Sequence, residues 1–121
     1  MKIKVCGITR EEDIAELLLA GVDFIGFNFI KSSPRYIDID WAVNIINKNN
    51  IQKKVVPLCE ISNLKTVHHK LKNLDLPFYQ IYKVRDSFNQ IEKFNLNYLL
   101  PTSATKLKQN IDNNLFIGNK D

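Results

Sequence analysis

"IKVCGITREEDIAELLLAGVDFIGFNFI", residues 3–30, decides how the rest of the chain is read. A short β-branched run leads into a cysteine and a glycine, an amphipathic stretch follows, and a second run of aromatic and β-branched residues closes the segment. Such short runs read as strands, and an apolar stripe at helical spacing reads as a helix. Ile14, Leu17 and Leu18 supply the stripe and Gly21 its end, while Thr9 followed by Glu12 has the form of a capping box at its start. The segment is one β-α-β unit.

The same alternation continues. "KVVPLCEI" (54–61), "PFYQIYKV" (77–84) and "LNYLLP" (96–101) read as further strands, and "LFIG" (115–118) as a sixth. Asp38 can cap a helix whose stripe is Trp41, Ile45 and Ile46. Ser62 starts a third helix with Leu64, Val67 and Leu71 inward, and Ser87 with Gln90 makes a capping box ahead of Ile91 and Phe94. Strands alternating with helices in this way build a parallel sheet with crossover helices. No G-x-G-x-x-G follows the first strand and no G-x-x-x-x-G-K-[ST] occurs, so nucleotide-binding sheets gain no support.

In a (β/α) barrel, chemistry sits at the C-terminal ends of the strands. Cys6 and Thr9, then Asn28, then Cys59 and Glu60 fall at such ends. A closed eight-unit barrel needs about 200 residues or more, and this chain has 121. The expected fold is therefore α/β, an incomplete TIM-type (β/α) barrel of five to six parallel strands with crossover helices. It is expected as a single partial barrel domain over residues 1–121.

Composition narrows the classes. No run approaches the ~18 apolar residues of a membrane span. The first apolar stretch is broken by Lys4 and runs into the charged segment Arg10–Asp13, unlike a signal peptide. A cytoplasmic location with no membrane partner is expected. The net charge of +4 comes from 14 lysines and three arginines spread along the chain, without the clustered arginines and interleaved aromatics of a nucleic-acid surface, so no nucleic-acid partner is expected. Cys6 and Cys59 lack metal-ligand spacing, and two reduced thiols are the expectation in a reducing compartment. Neighbours on a helix point about 100° apart, so His68 and His69 read as helix-surface and helix-flank residues, and no metal is expected.

"KIKVCGITR" (2–10) followed by "GVDFIGFNFIKSSPRYI" (21–37) resembles the first two βα units of the phosphoribosylanthranilate isomerase family. The resemblance is specific over residues 2–46 and looser over 53–84. It implies a cofactor-free Amadori rearrangement of a phosphorylated sugar–anthranilate, an aminoaldose, to a 1-aminoketose. It also implies that Cys6, in C-G-I-T-R, is the general base and that Arg35, in S-P-R-Y, holds the anthranilate carboxylate. The residue chemistry fits both roles. A thiolate serves as a base near neutral pH when positive charge lies close by. Lys4 stands two residues earlier on the same strand and hence on the same face, and the next helix adds a favourable N-terminal dipole. A planar guanidinium pairs with a carboxylate in bidentate fashion. The plainer alternatives are a small buried thiol at Cys6 and a solvated loop arginine at Arg35.

The chain also departs from the family pattern. The family's general acid is an aspartate closing a late strand that reads roughly "YLLLD", and the nearest match, "YLLPTS" (98–103), has Pro101 and Thr102 there. A threonine does not donate a proton as a carboxylic acid does. Glycine-rich loops that grip phosphate in the family have no counterpart beyond "NLFIGN" (114–119). "QIYK" (80–83) stands where the family often has Q-L-H-G, placing Tyr82 at the histidine. Alternatively, residues 77–100 resemble the family's fifth unit. Two functions follow: an isomerase, with the open sheet edges pairing with a second copy as a homodimer, or a non-catalytic remnant or half-barrel interaction module of the same family. A flavodoxin-like binding domain fits the alternation alone but leaves C-G-I-T-R and S-P-R-Y without a role.

Overall fold

The structure, a computed structural model, describes residues 2–83, 88–100 and 117–118. Six strands, β1 (Ile3–Cys6), β2 (Phe24–Asn28), β3 (Val55–Glu60), β4 (Tyr79–Tyr82), β5 (Tyr98–Leu99) and β6 (Ile117–Gly118), alternate with helices α1 (Glu11–Ala20), α2 (Ile39–Asn49), α3 (Leu64–Leu71) and α4 (Phe88–Glu92). They form one sheet in the order β5-β4-β3-β2-β1-β6, parallel throughout. Among the described residues the sheet does not close, so the α/β incomplete barrel expected from the alternation is what forms. The strand near the C-terminus lies beside the first, which is the neighbour relation of a closed barrel.

Side chains alternate between the two faces of each strand. One face meets the helices: Ile25, Phe27, Val55, Cys59, Tyr79 and Ile81 pack with Ile14, Ile45, Ile46, Leu64, Val67, Leu71 and Ile91 in a single apolar core. The opposite face carries a small cluster of Cys6, Val56 and Leu58, with Phe24, Phe78 and Tyr82 packed against it. The three buried polar residues, Lys4, Asn28 and Gln80, belong to that second face, since Lys4 pairs with Phe24 and Leu58 pairs with both Asn28 and Gln80 across the ladder. Folding energy is thus concentrated on the helix side, and polar chemistry on the other.

Helix ends follow the sequence in part. Asp38 caps α2 as expected, its Oδ2 accepting from the backbone N–H groups of Asp40 and Trp41 at 3.1 Å each. Replacing Asp38 with alanine is expected to cost about 1 kcal/mol of stability, read as a lowered melting temperature that Asp38→Asn largely restores. Gly21 ends α1 in the left-handed conformation, φ 79°. Thr9 does not cap α1. Arg10 stands at the N-cap in extended conformation with no side-chain cap, and its guanidinium instead reaches Asp13 at 2.8 Å. Nor does Ser62 start α3. A single 3-10 turn, Ile61–Asn63, comes first, held by reciprocal bonds between Glu60 and Asn63, and α3 begins at Leu64. Ser87, and with it the expected Ser87–Gln90 capping box, lies outside the described residues; Ile91 is buried and Phe94 half-buried.

Strands are shorter than the apolar runs. β1 stops at Cys6 because Gly7 turns the chain at φ 80°, and β4 stops at Tyr82 because Lys83 does so at φ 57°. Among the described residues no helix is long and apolar enough to cross a membrane.

Candidate functional site

β1 sets Lys4 and Cys6 side by side on the sheet face away from the helices. Lys4 is 2% exposed, and its Nζ donates to Cys6 Sγ. A buried ammonium is costly unless a negative or strongly accepting group meets it, and the same contact favours the thiolate form of the cysteine. Directly across the ladder stands Gly26, paired with Cys6. A Cβ at this glycine would lie 2.9 Å from Cys6 Sγ and 3.1 Å from Leu58 Cδ1, so a bare backbone is what gives the thiol its space.

Arg35 comes to the same strand end. A Cβ on Gly7 would overlap Arg35 Cδ and sit 3.1 Å from its Nε and Nη1, so the arginine side chain runs over the residue that follows Cys6. Gly7 is required twice, for its positive φ and for this close approach. The β2–α2 loop that brings Arg35 back is tied down by Asn28. Asn28 Nδ2 donates to Ser33 Oγ at 3.1 Å, Asn28 Oδ1 accepts from the Ile30 N–H at 2.9 Å, and Ser33 Oγ in turn accepts from the Arg35 N–H at 3.1 Å. Tyr36 and Ile37 return beside the end of β2, where the Ile37 N–H donates to the Asn28 carbonyl at 3.0 Å. The two residues singled out from sequence therefore meet at one strand end, with Asn28 as the anchor of the loop.

Other strand-end residues divide by face. Cys59 belongs to the helix-side core, one residue out of phase with Leu58, and so does not join Cys6. Burial, and then the neighbouring Glu60 charge, push its thiol up to about 12, which keeps it protonated at neutral pH. Glu60 is held at the rim by Lys83, Nζ to Oε2 2.9 Å, and by its place in the 3-10 cap. Thr9 is exposed beyond the strand.

Two residues of "QIYK" also enter the site. Gln80 is 8% exposed, and its Nε2 donates to the Tyr82 hydroxyl at 3.1 Å. The other end of the amide, Oε1, is buried without a hydrogen-bond partner in the structure. Tyr82 packs against the cluster that contains Cys6. The alternation of β4 is the signal that could have placed both on the Cys6 face, since Leu58 and Gln80 are ladder partners.

His68 is on the opposite side of the sheet, its ring packed on Phe94 at 5.0 Å and Tyr79 at 6.0 Å, and His69 is exposed. Burial, with Lys72 and His69 close by, holds His68 below its usual pKa. Among the described residues no group of three or more His, Cys, Asp and Glu side chains converges as metal ligands would.

No family model matches the chain. Over 45 residues it is 58% identical to the N-(5'-phosphoribosyl)anthranilate isomerase of Chlorobaculum tepidum, a segment that makes up 37% of this chain and 20% of that protein. The tryptophan biosynthesis protein TrpCF of Yersinia pestis is 35% identical over 92 residues, 74% of this chain and 19% of the relative. The chain thus spans about a fifth of the length of these curated relatives. Among solved structures, TrpF from Jonesia denitrificans is similar with a TM-score of 0.70 at 21% identity, covering 88% of this chain and 53% of its own. A phosphoribosyl anthranilate isomerase in complex with reduced 1-(o-carboxyphenylamino)-1-deoxyribulose 5-phosphate is similar with a TM-score of 0.66 at 17% identity, over 99% and 66% of the two chains. At these identities the structural likeness shows the fold.

Proposed function

With its first two βα units shared with the phosphoribosylanthranilate isomerases, we propose that this chain is an isomerase of N-(5'-phosphoribosyl)anthranilate, converting the aminoaldose to the 1-aminoketose. The observation that carries the reading is the meeting of the Lys4–Cys6 pair with Arg35 over Gly7. Arg35 holds the anthranilate carboxylate through its planar fork. Protonation of the ribose ring oxygen opens the sugar to a Schiff base, and the Cys6 thiolate removes the C2' proton. The resulting enolamine then tautomerises to the ketone. Hydrogen moves only within the substrate and through protein groups, so the chemistry needs no redox cofactor.

We further propose that residues 1–121 act as one partial barrel domain, and that the sheet, which does not close among the described residues, pairs with a second copy. Strand edges present unpaired backbone groups that another chain can pair with. The competing reading, a non-catalytic member of the same family, is favoured by one observation: Pro101 and Thr102 replace the leucine and aspartate of the late strand. Turnover separates the two. Loss of phosphoribosylanthranilate fluorescence, with substrate generated in situ and protein at high concentration, is expected for the native chain and not for Cys6→Ala. Equal silence from both, with the native chain folded by circular dichroism, would leave the non-catalytic reading standing.

A further inference from the structure

We propose that Lys4 and Cys6 form a modification site, at which hydrogen peroxide joins Lys4 Nζ to Cys6 Sγ through a reversible S–N bond. Such a bond forms whether or not the chain is an isomerase. Lys4 is 2% exposed and its Nζ donates to Cys6 Sγ, so amine and sulfur are held in contact by burial. The two residues stand two apart on β1 and share a face of the sheet. Groups held together in this way react far more readily with each other than with partners that must diffuse in. Cys6 keeps 5% exposure, the opening by which a reagent little larger than water reaches the sulfur.

Two other fates of an oxidised cysteine are obstructed. A sulfenic acid condenses with a thiol to a disulfide, or with a backbone nitrogen to a sulfenamide. The chain has two cysteines, and Cys59 lies on β3 in the helix-side core, across the sheet from Cys6. The backbone nitrogen that follows Cys6, that of Gly7, donates to the Gly26 carbonyl at 3.1 Å and is committed to that bond. Val56 and Leu58 pack against Cys6 as apolar groups. Gly26 keeps a side chain off Sγ, since a Cβ there would stand 2.9 Å away. Lys4 Nζ is a nucleophile already in place.

The atoms and electrons balance. Sγ attacks one peroxide oxygen as the O–O bond breaks, and the departing hydroxide takes the proton that Sγ and Nζ share. The products are a sulfenic acid, a neutral amine and water, whichever of the two atoms held that proton at the start. The sulfur is oxidised and the peroxide reduced by one electron pair. The Nζ lone pair then bonds to Sγ as the S–O bond breaks, and the hydroxide leaves as water with one amine proton. The chain loses two hydrogens in all. A thiol reverses the step by attacking Sγ: the S–N bond breaks, the amine regains its proton, and a second thiol frees Cys6 from the mixed disulfide. In the bonded form Cys6 has no thiolate to serve as a base, so the bridge switches off the isomerisation proposed for this site.

The test treats the native, folded chain with hydrogen peroxide, digests it with trypsin without reductant, and reads the peptides by mass. In untreated protein trypsin cuts after Lys2, Lys4 and Arg10, which releases residues 5–10. An amine bonded to sulfur is no longer the cation that trypsin recognises. The expected product is therefore residues 3–10, uncut at Lys4 and two hydrogens lighter than the same sequence reduced. A dithiol reductant is expected to restore the cut and the mass. Lys4→Arg keeps a positive charge beside the thiol without an amine nucleophile. It is expected instead to accumulate Cys6 as sulfinic or sulfonic acid, which the reductant does not reverse. Residues 5–10 of the native chain recovered unmodified, or carrying only added oxygen with the cut at Lys4 intact, would overturn the proposal. So would Cys6 bonded to any other lysine, or to Lys4 through a retained oxygen. None of these readouts depends on turnover, so a chain inactive as an isomerase tests the bridge as well as an active one.

Discussion

Replacing Cys6 with alanine is expected to lower turnover by roughly 10²- to 10⁴-fold, the range for loss of a positioned general base, with little change in stability. The thiol is small and buried, so truncation to alanine leaves the Val56–Leu58 packing in place. Lys4, only 2% exposed, donates from its Nζ to Sγ, the contact on which the base role proposed for Cys6 depends. Cys59 is the internal control. It is the same side chain, two strands away on β3, buried in an apolar core with a carboxylate beside it, and burial followed by Glu60 raises its thiol to about 12. Iodoacetamide near neutral pH should modify Cys6, which keeps 5% exposure, faster than the wholly buried Cys59, as read by peptide mass spectrometry. Lys4→Met should slow the Cys6 reaction and move its onset to higher pH, because loss of the positive charge disfavours the thiolate. Lys4→Arg should retain part of the effect. Equal labelling of the two cysteines in the native protein would remove the physical basis for Cys6 as a base.

Much of this arrangement was legible in the sequence, and the parts that were not have specific causes. The parallel order, the helix stripes and the Asp38 cap are local properties, set by side-chain period and by one carboxylate at the right offset. Cap choice failed where two bonding options competed. Arg10 found Asp13, and Glu60 with Asn63 formed a 3-10 turn, so Thr9 and Ser62 were left outside their helices. Cys59 looked like a site residue because it ends a strand, yet strand ends present alternate faces, and the phase of Val56 and Leu58 assigns it to the helix side. The seat of Arg35 on Gly7 was not readable from spacing at all. It depends on a loop whose path is set by Asn28 and Ser33, and on a glycine whose second reason for being glycine lies in a distant side chain. Gln80 and Tyr82 were readable in principle, since alternation along β4 gives their face.

Phe27→Ala is expected to destabilise the fold by about 3–5 kcal/mol, a large share of the ~5–15 kcal/mol of a typical domain. Phe27 is wholly buried within β2, on the helix side, with its ring edge-on to Trp41 at 6.5 Å between centroids. Its strand is bonded on both sides, to β1 and to β3, so the backbone has little freedom to close the cavity left by the ring. A denaturant midpoint lowered at unchanged slope would report that loss. Leu19→Ala provides the contrast, since Leu19 is 89% exposed on α1 and its truncation should stay within about 0.5 kcal/mol. The pair of results bears on how an unclosed sheet remains folded. In this chain the large apolar cluster lies between sheet and helices, while the opposite face has three apolar-cluster residues and the polar Lys4, Asn28 and Gln80. If the helix side carries the stability, the other face is at liberty to hold a buried lysine against a thiol and an amide against a phenol without loss of the fold. A Phe27→Ala chain that lost less than about 1 kcal/mol would place the stabilising core on the Cys6 face instead. Substitutions at Lys4 and Cys6 would then have to be read as folding variants before being read as catalytic ones.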